Sequence, residues 1–189
     1  MALVINIKGK YHGSVPNVLS QFYRFRPFED EVLTAQFKGG ASKSVNVSQQ
    51  LKDAWGFITQ RANIPGGKCN AYFKTLPRRK TLKEVLLEDD VVVHCLEPKG
   101  SHSYDDLPYA DTAGRDIGLD PTLLFETSRV LACTLIHELA HVAGATTNKS
   151  DPDAGAAEES LRHCLCESHF HLGTLGTIES VQESASRVV

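Results

Sequence analysis

Residues 127–143, Thr-Ser-Arg-Val-Leu-Ala-Cys-Thr-Leu-Ile-His-Glu-Leu-Ala-His-Val-Ala, contain no Gly or Pro and only two formally charged side chains, Arg129 and Glu138. Apolar residues wrap almost all round this segment, which predicts a helix buried on nearly every side. Gly144 stands where such a helix would stop. A segment of this kind has to lie at the centre of the fold, with the rest of the chain packed around it.

In its C-terminal half, 135–143, three polar residues break the apolar run, His137, Glu138 and His141. Positions four apart lie one turn above each other, so both imidazoles can hold one metal ion between them. Glu138 falls beside that face, where it can take a proton from an attacking water as a general base. The plainer alternative is a pair of satisfied core histidines and a hydrogen-bonded Glu. Burying an unpaired carboxylate is costly, and that weighs against it.

A catalytic zinc needs a third protein ligand and an open position for water. The HExxHxxGxxH arrangement is excluded: Gly144 is in place, but Thr147 stands where the last His belongs, and the single Met is Met1. Asp151 and Asp153 follow at usable range, although Ser150-Asp151-Pro152 reads as a helix start with Asp151 as N-cap. The remaining arrangement takes a Glu from the next helix, expected over 152–172. There Ala157, Leu161, Cys164, Leu165, Ser168 and Leu172 share one face. Glu158 sits at the edge of that face and Glu159 nearly opposite, so Glu158 is the expected ligand. Its ordinary alternative is a surface ion pair with Arg162.

His137-Glu-Leu-Ala-His141-Val-Ala-Gly144, a loop of small and polar residues, and then Ala157-Glu158 leading a helix with Leu161 and Cys164 resemble the gluzincin-type zinc metallopeptidases. The likeness is greatest to small peptidase domains attached to bacterial secretion-system and polymorphic toxins, and it covers residues 115–172. It implies an α+β, zincin-like core with a buried metal helix, an adjacent ligand helix and a small sheet. It also implies Zn2+ held by His137, His141 and Glu158, a peptide or protein substrate, and a cognate immunity protein if the chain is a toxin. A cell-wall peptide amidase would use the same residues. Tyr104, Tyr109, His163, His169 and His171 are the candidate donors to the oxyanion.

A chain of 189 residues with 41% hydrophobic content can bury a full core. A net charge of -3 offers no field for nucleic acid or an anionic membrane. Arg78-Arg79-Lys80 and Glu88-Asp89-Asp90 read as solvated edges. No segment is long and apolar enough to span a bilayer. The first residues lack a basic n-region, so the expectation is a protein cytoplasmic as synthesised, with any export by a secretion system rather than a cleaved signal.

Residues 2–8 alternate as a strand, and 45–64 form a helix with Leu51, Trp55, Ile58 and Ala62 on one stripe, ended by Pro65-Gly66-Gly67. Strands are expected near 71–76 and 91–96, and 98–111 reads as a loop. That loop separates an N-terminal α+β portion, 1–110, from a catalytic core, 111–189, the two forming one compact unit. Residues 115–121 predict a short strand lining the cleft, along which a peptide could add, with Gly118 permitting close backbone approach.

His163, Cys164, Cys166, His169 and His171 also raise a different reading, a closed zinc site in a non-enzymatic interaction module. Cys164 and Cys166 lie on different helical faces and no second pair completes four ligands, which disfavours it. Matching the rise of two antiparallel helices places Cys133 level with Cys164, so a disulfide could staple the site. The alternative is two buried free thiols, in keeping with an odd cysteine count.

Overall fold

The computed structural model describes residues 3–88, 91–103, 108–146, 155–164 and 178–183. Its centre is the expected helix, α4 (Ser128–Val142), capped by the Thr127 hydroxyl accepting from the Val130 amide. Nearly every side chain from Leu131 to Val142 is buried. Gly144 follows with φ 102°, a left-handed conformation that ends the helix at low cost for a residue without Cβ.

Against α4 packs α1 (Val47–Ala62), which buries Leu51, Ala54, Ile58 and Ala62 and carries Trp55 at the core's edge. The Asn46 side chain caps it, so Val45 belongs instead to the preceding strand. The stretch expected as a strand near 71–76 is instead the end of a helix, α2 (Lys68–Phe73), followed by a turn. Cys69, Phe73 and Leu76 are buried at spacings of four and three, a helical period that a strand reading of the short apolar run misses. Helix α3 (Leu82–Glu88) continues this layer.

The main sheet has the order β1 (Val4–Ile5), β5 (Val92–Pro98), β7 (Asp116–Leu119), β6 (Ala110–Ala113), with β2 (Tyr23–Arg26) also paired to β5. β5 runs parallel to β1 and β7, while β6 is antiparallel to β7. Side chains link the end of β1 across β5 to β7. The Asn6 amide donates to His94 Nδ1 at 2.8 Å, and His94 Nε2–H donates to Asp116 at 2.6 Å. Burial holds the His94 pKa below its ordinary value, so the ring is neutral and both nitrogens are satisfied. A second sheet orders β4 (Ser42–Asn46), β3 (Val32–Phe37) and β8 (Ile178–Glu183), all antiparallel.

One core cluster runs from Ile7 to Cys164, crossing residue 110. The N-terminal portion supplies β5 and α1, and the C-terminal portion supplies β6, β7 and α4, to the same layers. The architecture is thus mixed α+β. Among the described residues no helix is long and apolar enough to cross a membrane.

Helix α5 (Ala156–His163) is shorter than the expected 152–172, and its N-cap is Gly155 rather than Asp151. Asp151, Asp153, Tyr104, Cys166, Ser168, His169, His171 and Leu172 lie outside the described residues. α5 buries Ala157, Ser160 and Leu161 and packs on both α4 and α2. Cys164 at its C-cap is bonded to Cys69 of α2, with Cα atoms 4.4 Å apart. The expected partner, Cys133, is disulfide-bonded elsewhere. Helix rise relates only α4 and α5, whereas α2, expected as a strand, packs on α5, takes Cys164 at its C-terminal end and holds its first turn through the Tyr72 hydroxyl donating to the Ala156 carbonyl (2.6 Å).

Candidate metal and hydrolase site

His137 and His141 lie on the same face of α4 with their Nε2 atoms 3.2 Å apart. Two Zn–N bonds of about 2.0–2.1 Å at a tetrahedral angle set their nitrogens roughly 3.3 Å apart, so the spacing suits a shared ion. The other ring nitrogens point away. His141 Nδ1 lies 2.9 Å from the Ala145 carbonyl, which can only accept, so this nitrogen carries the proton and Nε2 a lone pair. His137 Nδ1 lies 3.5 Å from Glu158 Oε1.

Those contacts leave His137 without a comfortable neutral tautomer. Protonated on Nε2, it donates to His141 but turns a bare Nδ1 toward the Glu158 carboxylate. Protonated on Nδ1, it faces the His141 lone pair with its own across 3.2 Å. Becoming doubly protonated is disfavoured, because burial, and then the neighbouring His141, push its pKa down to about 4. A cation between the two Nε2 atoms would relieve the conflict, so these two nitrogens have the spacing and the lone pairs for two positions on a metal ion. Among the described residues, no three His, Cys, Asp or Glu side chains are gathered closely enough to hold one together. Glu158, whose side chain is 61% exposed, is a carboxylate beside the pair. Arg162 pairs with Glu159, not with Glu158.

Glu138 is only 5% exposed. Burial, reinforced by the charges of Asp111 and Glu158, pushes its pKa up to about 7 against the opposing pull of a hydrogen bond from Thr112. That bond, Thr112 Oγ1 to Glu138 Oε2 at 2.6 Å, ties the helix to β6. On the same strand Asp111 accepts from the Tyr23 hydroxyl at 2.8 Å, and burial raises the tyrosine pKa, so it remains a donor.

The strand expected to line the cleft, β7, is internal, between β5 and β6. What approaches Gly118 is the Phe25 ring of β2: a Cβ there would meet it at 2.4 Å. The terminal strand beside α4 is β6, which straddles the end of the stretch read as loop; its short Ala-Asp-Thr-Ala run offers no period-two pattern to detect. Sequence reasoning therefore missed Tyr23, Asp111 and Thr112. The hydroxyl and carboxylate at adjacent positions upstream of the metal helix were the available signal.

Of the candidate oxyanion donors, Tyr109 is 53% exposed just before β6, and His163 stacks on Tyr72 and contacts Glu159 at 3.3 Å. A closed Cys/His zinc site loses Cys164, whose sulfur is already bonded to Cys69. No family model, curated protein or solved structure matches this chain.

Proposed function

We propose that this chain is a zinc-dependent hydrolase of peptide bonds. The observation that carries the reading is the pair of Nε2 atoms 3.2 Å apart, each ring turned so that a cation resolves its hydrogen bonding. Bound there, zinc would supply Lewis acidity, acidifying a water and polarising the substrate carbonyl.

In this reading His137 and His141 bind through Nε2. Glu158 is the proposed third ligand, reached by turning an exposed side chain away from Nδ1. Glu138 accepts the proton of the attacking water and returns it to the leaving amine; it lies beside His137 on the helix, and its carboxylate is held by Thr112. An extended peptide would lie along β6, the terminal strand of the main sheet, adding main-chain hydrogen bonds.

Disulfide bonds at Cys69, Cys164 and Cys133 support work in an oxidising space. That suits an effector delivered out of the cell that makes it, and leaves a cell-wall peptide as a substrate alongside protein.

The test is a cleavage profile of zinc-loaded protein on a proteome-derived peptide library and on a peptidoglycan digest, with Glu138→Gln as control. Cleavage that vanishes in the variant is expected. If neither pool is cut by the wild type, or both are cut equally by the variant, the proposal fails.

A further inference from the structure

Glu138 has three side-chain torsions, and a base must hold its oxygen within hydrogen-bond reach of the proton it takes. Its carboxylate is buried, so it also needs a donor. Among the described residues that donor is Thr112, whose hydroxyl reaches Oε2 at 2.6 Å. The same hydroxyl lies 3.4 Å from the Glu138 carbonyl, too far to compete for its single proton.

Thr112 sits on a rigid support. It pairs with Ile117 of β7, a fully buried residue, inside an antiparallel ladder that covers all of β6. Backbone pairing fixes the strand, the strand fixes the hydroxyl, and the hydroxyl selects which carboxylate oxygen is occupied. The other oxygen, Oε1, is left for water.

Resting on the hydrolase reading above, we infer that Thr112 is a positioning residue, whose hydroxyl pins Glu138 Oε2 so that Oε1 is presented to the attacking water. It touches neither substrate nor metal and acts only through Glu138.

Thr112→Val keeps the β-branched shape and removes the donor, whereas Thr112→Ser keeps the donor and removes a methyl. In zinc-loaded protein, Thr112→Val should lower kcat about 10–100-fold, the range typical of lost supporting contacts, with KM and zinc affinity within about two-fold of wild type. Thr112→Ser should restore most of kcat. A second readout needs no turnover. With 13C-carboxylate glutamate, the infrared band absent from Glu138→Gln identifies Glu138; it should move in Thr112→Val and return in Thr112→Ser. An unmoved band, or a wild-type kcat in Thr112→Val, overturns the inference. Equal losses of kcat and fold in both variants also overturn it, as a packing role. A wild type that hydrolyses nothing while the band still moves identifies the failure as that of the hydrolase reading.

Discussion

His137 and His141 hold their Nε2 atoms 3.2 Å apart, a contact between two acceptor-capable nitrogens that a shared cation would relieve. Replacing either by Ala should therefore abolish zinc binding, measured as zinc per chain after dialysis. Glu159→Ala should leave zinc in place, because Glu159 is occupied by Arg162 and His163. Glu158→Ala should release it. Weakening of only 10–100-fold would instead mark Glu158 as the carboxylate that orients His137 through Nδ1, where it stands in this structure.

Glu138→Gln should retain zinc and lose turnover, since an amide keeps the shape but cannot take the proton. It should also stabilise the metal-free protein at alkaline pH. The unfolded carboxyl titrates near 4.5 and the folded one near 7, so between these values the folded state binds more protons and stability falls as pH rises. Above pH 7 the full cost, on the order of 3 kcal/mol, is present. His137 acts in the opposite sense: with its pKa lowered from 6.5 to about 4, stability is lost as pH falls through that window. Thermal melts of metal-free wild type and Glu138→Gln should thus diverge at pH 8 and converge near pH 4. Equal melting temperatures at pH 8 would contradict the burial argument.

Helix α4 was legible because its information is local: a run free of Gly and Pro, a Gly at 144 and an apolar surround. α1 was legible for the same reason. β6 and α2 were not, because each is short and takes its identity from partners distant in the chain. β6 is a strand only through β7, and α2 is recognisable by the buried spacing of Cys69 and Phe73 once α5 covers it. Neither alternative for Cys133 and Cys164, a bridge between them or two buried free thiols, holds, for that reason: Cys164 is bonded to Cys69, and Cys133 is also disulfide-bonded. The periodicity correctly put Cys164 on the buried face of its helix, but nothing local says which neighbour lies there.

Cys69 and Cys164 close a loop with a sequence separation of 95. On the chain-entropy model, a crosslink of that span restricts the unfolded state by about 4–5 kcal/mol, an upper value if the unfolded chain retains structure. Cys69→Ala/Cys164→Ala should therefore lower Tm by roughly 10 °C or more. A non-reducing peptide map should recover the Cys69–Cys164 pair and find the buried Cys95 outside any disulfide. Recovery of a Cys133–Cys164 peptide would show that α5 docks on α4 differently from this structure.

Gly118→Ala tests the packing beneath the sheet that carries Thr112. A methyl on Gly118 would come within 2.4 Å of Phe25 Cε1 and 2.5 Å of Leu96 Cδ2, both on buried side chains. Neither can swing into solvent. Phe25 is stacked on His94 with ring centroids 5.6 Å apart, and His94 is fixed by Asn6 and Asp116. The clash has to be absorbed by shifting the ring or the strand, which costs about 1–3 kcal/mol in a tight core. For a chain of this length that corresponds to a fall in Tm of roughly 3–10 °C. Phe25→Leu, which shortens the obstructing side chain, should make the cost of Gly118→Ala smaller than in the wild-type background, so the two changes couple rather than add. Additive losses in that double-mutant cycle would mean that the ring is not what forbids a side chain at position 118.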